Sequence, residues 1–506
     1  MDGLIQRYHK QILGTLGCFD RVVLTGTLPK VCHAKGMASI LFERDVLIRD
    51  YVQFAQALRD RIRQNAEQLA QDAGIEIQFI RKRNFRQKDR IEAILRTRGR
   101  HAGLVHIFSV LETCTAYKPW FDKTSGHMTL RPDIGKCLHY YFYFIDEQFG
   151  LCHLRVPTWC PFALQFYFNG HDWLARQLDR HEIAYRQVDN AFVDCGDWAA
   201  AQRLVDAFDP ALLHRTADRY AAQYCPVLKD LGQRYHWSIH QAEYATDVVF
   251  RRREDLQPLY EMLVETAVHA VKAGDVATFL GRKLDGHYQG EVGNRYQVRI
   301  EGTRIRHHMG RDAAIKMYDK LGHILRIETT VIDVRFFKHY RKVEHRDGTS
   351  SMKQAPLRKS IYSLPALQEL CRAANRRYLA FLSELDDRGP RLKPVQKVAE
   401  PRRAKGRCFR GFNLLSHGDY SLFLAIARGE FRINGLTNRA IRRVLPGYSG
   451  SQMSRILKRL RMHGILKKIG RTYKYYLTRA GRAVLAAAVR LRDMVTLPLS
   501  ATAQTQ

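Results

Sequence analysis

Closely spaced cysteine pairs are missing from this 506-residue sequence. Its ten cysteines are scattered singly and no Cys-x-x-Cys occurs, which argues against a zinc ribbon and against a redox pair. The sequence also lacks an apolar signal core in its first residues and any run of about 18 apolar residues that would span a membrane. We therefore expect a reduced, soluble, cytoplasmic protein. Cys137 and His139, and likewise Cys152 and His153, are interpreted as core residues rather than as zinc ligands.

Acidic residues are scarce relative to basic ones. There are 50 Asp and Glu against 83 Lys and Arg, which gives a net charge of +33. Residues 391–490 contain 24 Lys and Arg but only 3 Asp and Glu, so a surplus of 21 positive charges lies there. Such a surplus predicts a polyanionic partner. A membrane is disfavoured because no basic amphipathic helix with an aromatic face accompanies the charge. Double-stranded DNA is the expected partner.

The basic C-terminal region has a recognisable order of elements. Thr437 and Ser451 are predicted to cap two short helices, which the segment 446–450 separates. Two β-prone runs follow, 465–469 and 472–478, joined like a hairpin. This pattern predicts helix, turn, helix and a basic two-stranded wing.

That order of elements resembles the winged-helix module of MarR-type bacterial regulators. The resemblance implies that the second helix enters the major groove and that the wing touches the DNA backbone. The whole chain is also similar to an uncharacterised family of bacterial proteins of this length, which carries no catalytic assignments. The alternative is a small helical subdomain with a solvated basic face. The resemblance implies these DNA-binding residues: Ser451, Gln452, Ser454, Arg455, Lys458 and Arg459 on the helix, and Arg471 and Lys474 on the wing.

The rest of the chain predicts an α+β fold, that is, a mixed α/β body followed by the winged helix-turn-helix domain. Near the N terminus a strand is predicted around Arg21, with Gly14, Gly17 and Gly26 marking turns. The predicted organisation is an N-terminal α/β region (1–135), an α+β body with two strand-rich blocks (136–388), a basic linker (389–412), the winged-helix domain (413–495) and a flexible tail (496–506).

The densest polar cluster of the body lies between residues 299 and 341. In a strand, Arg326 and Glu328 share one face, and Arg304, Arg306 and His308 share another. Such strands in one sheet would place a carboxylate for Mg²⁺ or Mn²⁺, cations for phosphate and a tyrosine nucleophile together. The alternative is a core sheet whose charged face forms ion pairs or grips DNA passively. The candidate catalytic residues are Tyr318, Glu328, Arg326 and His308, and the candidate phosphate-binding residues are Arg304, Lys316, Lys320 and Lys338.

Residues 313–331, with Lys-x-Tyr-Asp-Lys followed by Arg-x-Glu, are similar to a segment of rolling-circle replication initiators. The resemblance implies metal-dependent DNA nicking by a mobile-element protein. The His-hydrophobe-His motif of those proteins has no counterpart here, because only His139 is present in the nearest candidate. His308-x-x-Arg311 also matches a motif of tyrosine recombinases, whose catalytic domain is mostly helical, whereas this stretch is predicted to be stranded.

A second polar cluster lies in residues 235–247. If this stretch is helical, His236, His240, Glu243 and Asp247 line one face, suited to a metal ion or to a contact between packed helices. An early polar spot is Asp20 with Arg21. The aromatic residues Tyr141, Tyr143, Trp159 and Phe162 are suited either to stacking on bases or to a β-sheet core.

Two functions are compatible with these observations. The first is a DNA-processing protein, similar to a replication initiator or a transposase, whose body nicks or rejoins DNA. The second is a non-catalytic winged-helix transcriptional regulator with a large sensing or assembly domain. A homodimer is compatible with either one.

Overall fold

The structure is a computed structural model. It describes residues 2–82, 84–124, 126–284, 290–299, 302–385, 397–404, 406–413, 416–428, 431, 435–470, 472–478, 480–482 and 484–485. The chain forms two compact units, both discontinuous in sequence, whereas the sequence analysis divides it into consecutive segments. The first unit contains Met1–Leu13, Phe250–Ile327 and Ala373–Gln506, and the second contains Gly14–Val249 and Glu328–Arg372.

The first half of the chain contains both helices and strands. They are α1 (Asp2–Arg7), β1 (Ile12–Thr27), α2 (Ala34–Phe42), α3 (Tyr51–Asp72), β2 (Ile77–Phe79), α4 (Gln87–Arg98), β3 (Gly103–Asp122), β4 (His127–Asp146), β5 (Gly150–Pro157), β6 (Leu164–Phe168), α5 (Gly170–Arg180), β7 (Tyr185–Gln187), β8 (Phe192–Cys195), α6 (Trp198–Asp206), α7 (Pro210–Tyr224), α8 (Leu228–Leu231) and β9 (His236–Phe250).

The second half begins with two helices and a strand-rich block and ends in small elements. They are α9 (Arg253–Ala270), α10 (Ala273–Phe279), β10 (Val292–Arg299), β11 (Gly302–Met309), β12 (Ala313–Lys320), β13 (Ile324–Val331), β14 (Lys338–Glu344), β15 (Ser350–Pro356), α11 (Leu364–Leu385), β16 (Arg402–Ala404), β17 (Arg407–Phe409), α12 (His417–Ala427), α13 (Asn438–Val444), α14 (Gly450–Met462), β18 (Leu466–Lys468) and β19 (Tyr475–Leu477). The α+β class predicted from the sequence is confirmed.

The second unit is built on a large sheet with the strand order β13-β9-β1-β6-β5-β4-β3-β2, to which β13 contributes its residues from Glu328 onward. Neighbouring strands are antiparallel in β1–β6, β6–β5, β5–β4 and β4–β3, and β2 is parallel to β3. The strands of the first unit follow the order β10-β11-β12-β13. In both units the buried side chains are largely aliphatic and aromatic, so burial of apolar surface holds each unit together.

Strand β1 corrects one prediction. Gly14, Gly17 and Gly26 do not mark turns, because all three lie inside this long strand. A Cβ on Gly17 would lie 2.5 Å from the Tyr244 hydroxyl oxygen, and one on Gly26 would lie 2.8 Å from the Trp237 ring. These glycines are therefore needed for close packing against large aromatic side chains.

The stretch 235–247 is also not a helix. It belongs to strand β9, in which residues 244–250 are all buried. Residues 244–250 are covered on both faces and so show no polar–apolar alternation, whereas buried and more exposed residues alternate over 236–240. The predicted helical face of His236, His240, Glu243 and Asp247 does not exist.

A buried histidine in the first unit makes stability depend on pH. His307 is fully buried and lies 2.6 Å from the Asn294 side-chain oxygen and 2.9 Å from the Tyr378 hydroxyl. Burial, with a smaller effect of His308, lowers the pKa of His307 to about 3. As the pH falls, His307 therefore binds a proton at a higher pH in the unfolded chain than in the folded one. The stability that depends on neutral His307 is fully present above the ordinary histidine pKa of 6.5, and it is lost as the pH falls towards 3.

We expect His307 to cost about 2 kcal/mol of unfolding free energy at pH 5 relative to pH 7.5, since each pKa unit corresponds to about 1.4 kcal/mol. Urea unfolding of wild type and His307→Gln at both pH values measures this. The variant should lose part of the pH dependence, whereas His9→Gln at an exposed position should retain all of it. Equal pH dependence in wild type and His307→Gln would contradict the assignment.

The C-terminal part of the first unit has its own apolar core. Helices α12, α13 and α14 precede the antiparallel hairpin β18–β19, and an isolated bridge pairs Leu436 with Tyr475. The core cluster includes Phe423, Ile441 and Leu457. Among the helices in the described residues, none has both the length and the apolarity needed to cross a bilayer. All ten cysteines are free thiols.

Candidate active site

Three carboxylates meet in the second unit. Asp20 on β1, Glu243 on β9 and Glu328 on β13 each offer an oxygen atom, and these oxygens lie within 4.8 Å of one another. In the part of the chain that the structure describes, they form the only group of Asp, Glu, His or Cys side chains with such spacing. Their strands are neighbours in the sheet, about 4.8 Å apart, so side chains on one face converge.

The spacing suits a small divalent cation. Mg²⁺ binds oxygen ligands at about 2.1 Å, so ligands on opposite sides of the ion lie about 4.2 Å apart. Carboxylates are the ligands that Mg²⁺ and Mn²⁺ prefer. Asp20 and Glu328 are 8% and 2% exposed, so their charges are held where an ion would be shielded from water.

The start of helix α5 packs closely against strand β1 and carries a histidine that lies beside the three carboxylates. Gly170 begins α5, and a Cβ there would lie 2.4 Å from the backbone oxygen of Phe19, so only glycine fits. The next residue, His171, is buried. Its Nδ1 lies 3.4 Å from an Asp20 carboxylate oxygen and its Nε2 lies 4.0 Å from one of Asp247. His171 thus lies between the Asp20 and Asp247 carboxylates, and the Asn190 amide donates a hydrogen bond to Asp20.

A cavity of about 840 Å³ opens beside the carboxylates, and Asp20 and Glu243 form part of its wall. All of its lining residues belong to the second unit. The aromatic part of the wall contains Tyr143, His153 and Tyr167. Its charged part contains these cations and acids: Arg21, Lys88, Arg96, Arg100, Glu92, Asp172 and Asp189.

Burial changes the proton affinity of two cavity groups. Burial, helped by Arg21, lowers the pKa of His153 to about 3, so its imidazole is neutral at physiological pH. Burial raises the pKa of Asp172, although Gln187 donates a hydrogen bond to its carboxylate. His153 therefore adds no positive charge to the cavity wall at physiological pH.

The candidate catalytic residues of the sequence analysis are not all brought together. Glu328 joins Asp20 and Glu243, which the sequence analysis placed in two other clusters. Tyr318 and His308 belong to the first unit, on β12 and β11, and Arg326 is a fully buried residue of β13. The other metal candidates, His236 and His240, are exposed and are not members of the carboxylate group.

The strands of the first unit carry a row of cations. Arg306 on β11 lies directly across from Arg295 on β10 and from Lys316 on β12. Like charges at opposed strand positions are destabilising in isolation, so this row is suited to an anion. Arg304 donates a hydrogen bond to Gln297, and Lys320 lies on β12, whereas Lys338 lies on β14 in the second unit. Arg304, Arg306 and His308 are half-buried and share one face of β11, as a strand predicts, while Ile305 and His307 between them are buried.

Helix α14 differs from the prediction at its start. Its N-cap is Ser449, not Ser451, and a capping box with Gln452 is complete: the Ser449 Oγ accepts from the Gln452 backbone, and the Gln452 side chain accepts from the Ser449 backbone. Thr437 caps α13 as predicted. The reciprocal capping box fixes the start two residues earlier, because it satisfies two backbone donors at once.

The predicted DNA-binding side chains of α14 fall into two groups. Ser451, Gln452, Ser454, Arg455 and Lys458 are all exposed, but Gln452 is engaged in the capping box and the Ser454 Oγ accepts a hydrogen bond from the Asn438 amide at 2.8 Å. On the hairpin, Lys474 is exposed, and Arg471 lies outside the described residues.

Arg459 is turned inward. Its guanidinium lies 3.3 Å from an Asp419 carboxylate oxygen, donates to the backbone oxygens of Arg410 and Gly411, and lies 3.7 Å from the centre of the Phe412 ring. Its donors are therefore used within the fold. We assign Arg459 a structural role, which corrects its place among the DNA-binding residues.

Comparison with known proteins yields no relative from which an activity or a residue role might be transferred. No protein-family model, no curated protein and no solved structure matches this chain.

Proposed function

We propose that the protein is an enzyme that hydrolyses phosphodiester bonds of nucleic acid with the help of a divalent cation, Mg²⁺ or Mn²⁺. The observation that carries the proposal is the convergence of Asp20, Glu243 and Glu328 from three neighbouring strands. These residues are far apart in sequence, and the fold brings them to one place at the edge of a cavity.

The chemistry follows from the residue types. A bound divalent cation would activate water and stabilise the charge on a phosphoryl oxygen. Asp20, Glu243 and Glu328 would hold the ion, and His171 would keep the Asp20 carboxylate oriented. In the reaction, a water oxygen bonds to phosphorus, the bond from phosphorus to a sugar oxygen breaks, and one proton of the water passes to that sugar oxygen. We assign the attack to water rather than to Tyr318, because the cavity is lined by residues of the second unit alone.

Binding of the polymer would involve the basic C-terminal region. Three helices followed by a two-stranded hairpin, with a third strand position at Leu436, support a winged-helix interpretation. Arg455 and Lys458 are exposed on α14 and would contact DNA, and the local surplus of basic residues supports an electrostatic contribution. The protein would thus combine a DNA-binding region with a separate hydrolytic centre.

The test is a cleavage assay on supercoiled plasmid, linear duplex and single-stranded oligonucleotides, with Mg²⁺, with Mn²⁺ and with EDTA. We expect metal-dependent cleavage of at least one substrate and none in EDTA. Absence of cleavage on every substrate, with DNA binding preserved, would contradict the proposal and favour the non-catalytic regulator.

A further inference from the structure

The cavity beside the carboxylates is too small for a duplex. Its volume of about 840 Å³ equals that of a sphere about 12 Å across and falls in the range of about 300–1,000 Å³ that holds single small ligands. The major groove of B-form DNA alone is about 12 Å wide. A nucleic acid could therefore enter the cavity only with a separate, unpaired part of its chain.

One side of the cavity is an aromatic wall, formed by Tyr143, His153 and Tyr167. The rings of His153 and Tyr167 are stacked, with centroids 4.7 Å apart and planes 12° apart, and the Tyr143 ring lies 4.8 Å from His153. Aromatic side chains on which bases stack are the usual means of holding unpaired nucleotides. The Nδ1 of His153 is buried and has no hydrogen-bond partner among the described residues, so a polar ligand group would satisfy it.

Two cations of the cavity wall are available for an anion. Lys88 lies 2.7 Å from Asp189 and Arg100 lies 3.2 Å from Glu92, so both are neutralised within the fold. Arg21 and Arg96 also line the cavity without the carboxylate pairing seen for Lys88 and Arg100 in the described residues, and the Arg21 guanidinium lies 5.8 Å from the centre of the Tyr167 ring. A guanidinium presents paired donors that match the oxygens of a phosphate.

We propose that this cavity binds one unpaired nucleotide, with its phosphate against Arg21 and Arg96 and its base against the aromatic wall, so that the substrate is single-stranded nucleic acid. The inference rests on the proposed function for the bond that is broken, and it adds the substrate class. The carboxylates Asp20 and Glu243 on the same wall would then lie beside the phosphate of the bound nucleotide.

The test uses thymidine 5′-monophosphate, which contains no phosphodiester and is too small for the C-terminal region to grip. Binding is measured by calorimetry in Mg²⁺ for wild type and for Arg96→Gln. The matched control is Arg90→Gln, an exposed arginine of the same helix α4 that does not line the cavity. We expect Arg96→Gln to weaken binding at least ~10-fold, because it removes a charge-assisted contact, and Arg90→Gln to leave binding unchanged.

The inference is overturned if wild type does not bind the nucleotide, or if Arg90→Gln weakens binding as much as Arg96→Gln. The result is separable from that of the cleavage assay. Nucleotide binding without cleavage of any substrate contradicts the proposed function alone, whereas cleavage without nucleotide binding contradicts this inference alone. A preference for linear single strands over blunt duplex is expected where both hold.

Discussion

Glu328→Gln should reduce metal-dependent cleavage by about 10³-fold. The substitution keeps the size of the side chain but removes the charge that would hold the cation, and a loss of about 4 kcal/mol in transition-state stabilisation corresponds to this factor. Asp20→Asn and Glu243→Gln should have effects of similar size, because each removes one ligand of the same ion. The measurement is the initial rate of cleavage at saturating Mg²⁺ for each variant.

The control for that experiment is Glu67→Gln, which removes an exposed carboxylate from the same unit and should retain wild-type activity. The thermal unfolding temperature is measured for every variant, so that loss of the fold is distinguished from loss of the ion. If Glu328→Gln is folded and cleaves at the wild-type rate, the carboxylate group is not the catalytic centre.

The double variant Arg455→Ala/Lys458→Ala should bind duplex DNA about 10-fold to 100-fold more weakly at a fixed salt concentration. Both cations are exposed on α14, and each phosphate contact that is lost should also reduce the dependence of log K on log salt by about 0.9. Fluorescence anisotropy with a labelled duplex at several salt concentrations measures the affinity and the slope. The protein should keep its unfolding temperature, since neither side chain is part of the core.

Arg459→Ala provides the contrast, because it removes an inward-facing arginine from the same helix. We expect it to lower stability by about 2 kcal/mol through the lost charged hydrogen bonds. It should leave the salt dependence of binding unchanged in the folded protein. A double variant Arg455→Ala/Lys458→Ala with wild-type affinity and slope would contradict the assignment of α14 to DNA.

Local patterns could be predicted from the sequence where local forces decide the structure. The cap at Thr437 and the alternation along β11 depend on residues a few positions apart, so both are visible in the sequence. The cap of α14 was placed two residues too late, because Ser449 and Ser451 are both good capping residues. The choice between them depends on the reciprocal bonds with Gln452.

Strand β9 shows how tertiary structure overrides a local pattern. Its polar residues 236, 240, 243 and 247 have helical spacing, yet the stretch is a strand that pairs between two neighbouring strands of the sheet. The helical spacing therefore predicts the wrong secondary structure, and it groups Glu243 with histidines rather than with Asp20 and Glu328. Similarly, the sequence predicts turns at Gly17 and Gly26 in β1, because it does not reveal that Tyr244 and Trp237 pack against these glycines.

The sequence places Asp20, Glu243 and Glu328 in three separate polar clusters and does not predict that they meet. Only the strand order β13-β9-β1 unites them, although Asp20 and Glu243 are 223 positions apart and Glu243 and Glu328 are 85 apart in the sequence. The cavity is likewise assembled from distant segments. The sequence is compatible with base stacking or core packing for Tyr143, and in the structure this residue lines the cavity.

The most direct measurement is the binding of Mn²⁺ to the full chain, followed by electron paramagnetic resonance. We predict one tight site in wild type, lost in Glu328→Gln and in Asp20→Asn and retained in Glu67→Gln. Equal Mn²⁺ binding by wild type, Glu328→Gln and Asp20→Asn, or no binding by wild type, would show that the three carboxylates do not form a metal site.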